Sequence, residues 1–315
     1  MTSFLKHRTR APIAALALAL ASACATSTPR LPGAAPADVP TRMRVQVGGQ
    51  VSAVSLEQYV LGAALSEVSP VGEAAPVVAR VFEVQAIIAR TYAAAHVGRH
   101  ASEGFDLCDK THCQLYQPAR LQTSRFAAVA RAAVVATTGR ILRHNGRPAD
   151  APFHADCGGR TSTAADAWGG PALPYLPSRP DDVPEGTHRS WQFAESEAQV
   201  TAILRGDPRT DPGGAVRSLT VIRADPSGRA AQVEIVGRQT RLVTGSVFRA
   251  VVSANRGDRS VMSTRFVISR TPTGYRLDGT GFGHGVGLCQ VGAIARARRG
   301  DSVEAILGHY YPGAR

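Results

Sequence analysis

The residues best suited to chemistry in this chain are Glu67, a histidine inside a glycine run at His284, and two cysteine groups with histidine neighbours. If a helix starts after Ser55, then Leu56, Tyr59, Val60, Ala63 and Glu67 share one face, at offsets of three, four, seven and eleven. A carboxyl ending such an apolar stripe is desolvated. Desolvation raises its pKa and suits it to give and take back a proton near neutrality. Glu57, Glu73 and Glu83 have less apolar company. The plainer alternative for Glu67 is a helix-end carboxylate paired with an arginine.

Asp278 to Ala297 reads DGTGFGHGVGLCQVGAIARA, with glycine at 279, 281, 283, 285 and 287. No register gives G-x-G-x-x-G and no P-loop lysine follows, which disfavours phosphate cradling. Period two would put the glycines on one face of an extended segment and Thr280, Phe282, His284, Val286 and Leu288 on the other. A bare face admits a neighbouring strand or a flat, hydroxyl-rich ligand. His284 would then orient a sugar, share a proton transfer, or be a strand residue satisfied within the fold.

Cys108 and Cys113 with His112, and His154 with Cys157, offer nitrogen and sulfur ligands of the kind zinc takes. Outside the cytoplasm a disulfide is the default, and it is the preferred reading of Cys108 and Cys113, with zinc as the alternative. Cys108, Cys113, Cys157 and Cys289 allow three pairings, and spacing does not choose among them.

Export is read from the first residues. MTSFLKHRTRAPIAALALALASAC has a basic start (Lys6, Arg8, Arg10), an apolar stretch too short for a comfortable span, and Ala21-Ser22-Ala23 before Cys24. The tripeptide resembles a lipobox, so residues 1–24 are expected to be a lipoprotein-type signal peptide with Cys24 the lipidated residue. Residues 25–42, rich in Pro, Ala, Ser and Thr, would be a linker, and 43–315 the folded domain. The expected location is a membrane-anchored lipoprotein facing the periplasm or wall. Of 315 residues 44% are apolar and 19% charged, a globular composition. The net charge of +12 is mostly arginine, without a concentrated run. That speaks against a nucleic-acid partner and is compatible with an anionic envelope polymer.

Several elements must position these groups. A hairpin turned by Gly48-Gly49 precedes the helix capped by Ser55 and Gln58. A second helix is expected over Val78 to His96 and a third near Thr123 to Thr137, then two strands around Asn145-Gly146. From about 191 to 266 the texture changes to a helix (Glu195 to Leu204) and two strands, read as a smaller α+β lobe inserted in the larger one. Two short helices close the chain, the second capped by Asp301 with Glu304.

GTGFGHGVGLCQVGAIARARRGDSVEAILGHYYPGA resembles the closing signature of the SpoIID/LytB family, the relatives of stage II sporulation protein D. LEQYVLGAALSEV, VQAIIARTYA, CDKTHCQLYQ and FHADCGGRTSTAADAWGGPALPYLPSRPDD agree with it in order and spacing, so the resemblance covers nearly everything from Arg44 onward. It implies a two-lobed α+β fold with a groove. It also implies a peptidoglycan lytic transglycosylase acting on peptide-stripped glycan strands, or else a non-catalytic enhancer of a wall amidase. The residue carried over as catalytic is Glu67, in Ser66-Glu67-Val68-Ser69, where the family's segment is S-E-M-P. The insertion VGEAAPVVARVF follows it. Gln114, Tyr116, His284 and Gln290 fall in matching segments as candidates for binding sugar. A lytic transglycosylase requires no cofactor. One family member carries zinc on cysteines of the loop that holds Cys108 and Cys113, and a zinc hydrolase built on that loop is a third reading.

Overall fold

The short strands near the start follow from local chemistry. In the computed structural model, which describes residues 39–184 and 186–315, β1 (Arg42–Val47) and β2 (Gln50–Ser55) form an antiparallel hairpin. Gly48 and Gly49 both have positive φ, as a two-residue turn of matching twist needs. Ser55 ends β2 and caps α1 (Leu56–Glu67), its hydroxyl accepting from the Gln58 N–H at 3.2 Å. The signal peptide, Cys24 and most of the linker lie outside the described residues.

Helix α2 (Ala75–His96) starts three residues before the expected Val78, because Pro76 suits a first turn that has no N–H partner to lose. The insertion after Glu67 therefore becomes a turn and the opening of α2. Strand β3 (Leu107–Cys108) joins β1 in parallel. The third expected helix divides into α3 (Arg120–Thr123) and α4 (Ala127–Ala136). Strands β4 (Arg143–His144) and β5 (Arg147–Pro148) flank the Asn145-Gly146 turn, and β6 (Phe153–His154) and α5 (Ala164–Trp168) follow.

Next come β7 (Ser190–Ser196), α6 (Glu197–Arg205), β8 (Ser218–Ala224), β9 (Ala230–Val236), β10 (Thr240–Val243) and α7 (Gly245–Arg256). The chain then runs through β11 (Phe266–Arg270), β12 (Gly274–Thr280), β13 (Leu288–Cys289), α8 (Gln290–Arg298) and α9 (Val303–Tyr310). Mainly antiparallel sheets with helices packed beside them make an α+β arrangement.

Two hydrophobic clusters lie within one compact unit. The first surrounds α2, which packs on α1, α4, α8 and α9. The second runs from Trp191 to Leu277 and holds the sheets β10-β9-β8 and β11-β12-β7 with α6 and α7. It reaches past the expected 191–266 because β12 pairs with β7 along its whole length, Gly274 with Ser196 through Thr280 with Ser190.

Inside the first cluster Arg90 is fully buried. Its guanidinium meets both oxygens of Glu57, at 2.9 and 2.6 Å, and donates to the Arg140 carbonyl at 3.1 Å. Removing it strands the Glu57 charge and opens a void. Arg90→Ala is expected to cost about 2–3 kcal/mol in urea unfolding, near the low end for a broken buried pair because Glu57 is partly exposed.

Candidate active site

Glu67 is the last residue of α1, with Val68 as its C-cap. Burial pushes its carboxyl up to about 7, against the lowering effect of one backbone bond, the Leu115 N–H donating to Oε1 at 2.5 Å. No charged neighbour contributes to the shift. Among the described residues Glu67 has no salt-bridge partner, so the paired-carboxylate alternative does not hold. Two rivals are engaged elsewhere, Glu57 by Arg90 and Glu73 by Arg298, whose guanidinium holds the Glu73 carboxyl below its ordinary range; Glu83, half-buried on α2, has no ion pair among the described residues.

The loop after β3 reaches the end of α1 at two points. Besides the Leu115 contact, the Gln117 N–H donates to Ser66 Oγ at 2.9 Å, and that hydroxyl donates to the Gly62 carbonyl at 2.7 Å. From the other side Gln290, first residue of α8, donates to the Glu67 carbonyl at 3.3 Å and lies 3.4 Å from Gln85 Oε1. Helix α1, the 109–117 loop and the start of α8 thus converge on one residue, the loop on its carboxylate and α8 on its backbone carbonyl.

Two expected sugar contacts are corrected. Gln114 is 1% exposed, its amide donating to the Ala89 carbonyl at 3.2 Å. Tyr116 is 2% exposed and stacks on Tyr59, with ring centroids 5.1 Å apart. Its ring fills the space over Gly62 that any Cβ would occupy. Both hold the loop to α1 and α2 from within the core.

His284 is placed differently from the extended face expected for it. The run is not a flat strand: Gly281, Gly283, Gly285 and Gly287 all have φ between +71° and +110°. What comes close to them is protein: the carbonyls of Asp156 and Pro152, His154 and the Arg229 side chain. The Val286 N–H donates to His284 Nδ1 at 3.0 Å, so the ring proton sits on Nε2 and is donated to the Phe153 carbonyl at 3.0 Å. Burial first, then the Arg229 charge, lowers its pKa to about 4. With both nitrogens engaged and the ring neutral, His284 serves the fold and has no proton to share. Its ring lies 5.0 Å from that of Trp168, which is 55% exposed.

Beside the 109–117 loop lies a cluster that the spacing reading saw in part. Cys108 and Cys113 are not joined. His100 Nε2 lies 3.3 Å from Cys113 Sγ, His112 Nε2 3.4 Å from Cys108 Sγ, and the two imidazole nitrogens 3.2 Å apart. The four ligand atoms fall within 4.8 Å of one another. A tetrahedral zinc with ordinary bond lengths would hold such atoms about 3.3–3.8 Å apart, so an S2N2 donor set fits. Glu103 meets His100 Nδ1 at 2.6 Å, which turns Nε2 toward the cluster. His100 was missed because it precedes Cys108 by eight residues, outside any short ligand motif. His154, expected to ligate with Cys157, is instead buried with Nδ1 on the Val286 carbonyl at 3.2 Å and lies outside this cluster.

Tyr59 stands between the two features, its buried hydroxyl without a hydrogen-bond partner among the described residues. Burial first, then the neighbouring Cys113, Tyr92, Glu67 and Cys108, raises its pKa.

Comparison with known proteins agrees with this arrangement. A family model described as stage II sporulation protein (SpoIID) matches residues 46–144, which hold Glu67, the loop and all four cluster residues. A domain of unknown function, DUF8618, matches 182–287. An uncharacterized protein of Brachyspira hyodysenteriae is 31% identical over 266 residues, covering 84% of this chain and 67% of that one. Stage II sporulation protein D of Bacillus subtilis is 27% identical over 279 residues, covering 84% and 75%. The amidase enhancer of Bacillus subtilis is 22% identical over 274 residues, 73% of this chain but 37% of that longer protein. A half-buried carboxylate held by the loop, on a residue whose backbone carbonyl α8 holds, inside matches of this extent, places the chain in the SpoIID family.

Proposed function

We propose that the protein is a cell-wall lytic transglycosylase that cleaves the bond from N-acetylmuramic acid to N-acetylglucosamine in peptide-stripped glycan strands. The observation that carries this reading is one desolvated carboxyl, its pKa raised to about 7, with no ion-pair partner among the described residues. Glycoside hydrolysis of the usual kind needs two carboxylates. Transglycosylation needs one. Glu67, protonated, gives its proton to the glycosidic oxygen as that bond breaks. The carboxylate left behind takes the proton of the muramic acid C6 hydroxyl as this oxygen attacks the anomeric carbon. The product is a 1,6-anhydro ring, and Glu67 ends protonated again. The Leu115 N–H holds Oε1 and Gln290 holds the backbone, leaving the carboxyl fixed in direction.

Mass spectrometry of strands incubated with purified protein tests the reaction class. A 1,6-anhydro terminus is expected. A reducing terminus would mean hydrolysis and a second carboxylate. No product, together with stimulation of a wall amidase, would favour the enhancer role that the name of the longer relative suggests.

We further propose that His100, Cys108, His112 and Cys113 hold zinc. With four protein ligands such a site is closed and supplies a structural cross-link. These residues then stiffen the loop that delivers the Leu115 N–H to Glu67. Protein purified without chelator is expected to contain about one zinc per chain, and Cys113→Ser to lose it and slow turnover several-fold without moving the pH profile. Two freely reactive thiols at 108 and 113 with no metal would overturn this.

The export reading belongs to the same proposal, since the substrate lies outside the cytoplasm. Replacing Cys24 by Ser and fractionating cells tests the lipid anchor; a wild type already free of the membrane would defeat it.

A further inference from the structure

Cys157 and Cys289 take no part in the site proposed above, yet the fold brings them together from positions 132 residues apart. Strand β13 pairs in parallel with β6, setting Cys289 opposite His154, three residues before Cys157. Paired backbone bonds between Asp156 and Phe282, at 2.8 and 2.9 Å, hold the same two segments. Both cysteines are 0% exposed. Their sulfurs lie within 4.8 Å of each other, and the Cys157 N–H donates to Cys289 Sγ at 3.2 Å.

We infer that Cys157 and Cys289 are a disulfide pair, closed by exchange with a disulfide donor of the glutathione or oxidoreductase class. One cysteine thiolate attacks a donor sulfur and expels a donor thiolate, giving a mixed disulfide. The second cysteine attacks its partner's sulfur and expels the other donor thiolate. One S–S bond forms in the protein and one is lost in the donor, which takes up both electrons and both protons. The structure describes the thiol form of this pair.

The surroundings favour a disulfide here over a metal. Asp156 and His188 lie in the same cluster, but Asp156 is taken up by His188 and the backbone, which leaves His188 Nε2 as the nitrogen without a partner among the described residues. Asp156 Oδ1 meets His188 Nδ1 at 2.6 Å and the Gly158 N–H at 2.9 Å, and Oδ2 accepts from the Arg189 N–H at 2.7 Å. The Arg229 guanidinium, donating to the Cys157 carbonyl at 2.8 Å, already places a cation there. At Cys108 and Cys113, by contrast, each sulfur has an imidazole nitrogen within 3.4 Å.

Closing the bond takes the Cys157 S–H donor at 3.4 Å from Asp181 Oδ2, while the other carboxylate oxygen, Oδ1, keeps the Tyr310 hydroxyl at 2.8 Å and Arg296 at 3.6 Å. The N–H groups of Cys157, Gly159 and Gly292 that point at the two sulfurs still find acceptors. Burial first, then the Cys157 neighbour, holds the Cys289 thiol well above its ordinary range. Thiolate is therefore scarce in the folded protein, and exchange belongs to folding, before the core closes.

The test refolds the reduced, unfolded full-length chain with zinc in a mixture of reduced and oxidised glutathione, then alkylates it in denaturant and maps the peptides without reduction. One linked peptide pair joining Cys157 to Cys289 is expected, with Cys108 and Cys113 alkylated. The link should resist reductant in the folded protein and yield to it in denaturant. The melting temperature of the oxidised wild type should exceed that of the reduced form by several degrees, a redox difference absent in the Cys157→Ser, Cys289→Ser double variant. Alkylation of both cysteines, linkage of either to Cys108 or Cys113, or protection released by a chelator would each overturn the inference.

Discussion

Glu67→Gln is expected to lower turnover on peptide-stripped glycan strands by at least about a hundredfold, the lower end of what a positioned acid-base group contributes, while strand binding survives. The amide keeps the shape of the side chain and an oxygen for the Leu115 N–H, but it cannot donate and recover the proton. The wild type should lose rate as pH rises through about 7, because the first half of the reaction needs the protonated form. Stability follows the same proton. The folded-state pKa lies above the ordinary 4.5, so between about 4.5 and 7 the native state binds more proton than the unfolded one, and stability declines as pH rises through that window. The Gln variant lacks this slope. At pH 8 it should be the more stable protein, by about 1–3 kcal/mol in urea unfolding. A variant with wild-type turnover, or a wild type whose rate and stability are flat from pH 5 to 8, would remove Glu67 from the mechanism.

The second large effect is at Gly287. Its φ is +71°, and a Cβ there would overlap the Pro152 carbonyl oxygen. That oxygen accepts from the Leu288 N–H at 3.2 Å and the Tyr311 hydroxyl at 2.8 Å, so it cannot retreat without breaking the join between β6, β13 and α9. Gly287→Ala should cost about 4 kcal/mol or more, from left-handed strain plus a displaced backbone. Gly300→Ala isolates the strain: φ is +87° and nothing lies within 4 Å, so about 1 kcal/mol is expected. Equal losses at the two positions in chemical denaturation would show that the Pro152 contact is unimportant.

The helix that ends in the candidate carboxylate was legible because its Ser55 cap is local; the burial was not, since every residue from Tyr59 to Ser66 is covered, on all sides of the helix, by elements distant in the chain. The hairpins at Gly48-Gly49 and Asn145-Gly146 were legible for the same reason. Helix α7 was not read, since Gly245, Ser246, Ser253 and Asn255 are weak helix formers; the available signal was the Thr244 cap with Phe248, Val251 and Val252 on one side. The last helix is capped by Ser302, one residue later than Asp301, because Asp301 turns to Arg296 and Arg299. Gln114 and Tyr116 are of types that bind sugars, but residue type does not say which way a loop faces. That direction is set by the contacts of Tyr59 and Ala89, far away in the chain. The glycine run showed that something comes close to the backbone, and only tertiary structure shows that it is the 152–158 segment.

The grip of Gln290 on Glu67, 223 residues earlier, bears on the order of assembly. The same late stretch supplies Arg298 to Glu73 and the Tyr311 hydroxyl to Pro152. A chain emerging from its N-terminal side can form the β1–β2 hairpin and α1 early, but the Glu67 carbonyl has no Gln290 donor until α8 arrives. Such distant contacts close slowly. A wall-cutting activity tied to them would remain silent in every partly emerged or clipped chain, which makes completeness of the polypeptide its own safety catch.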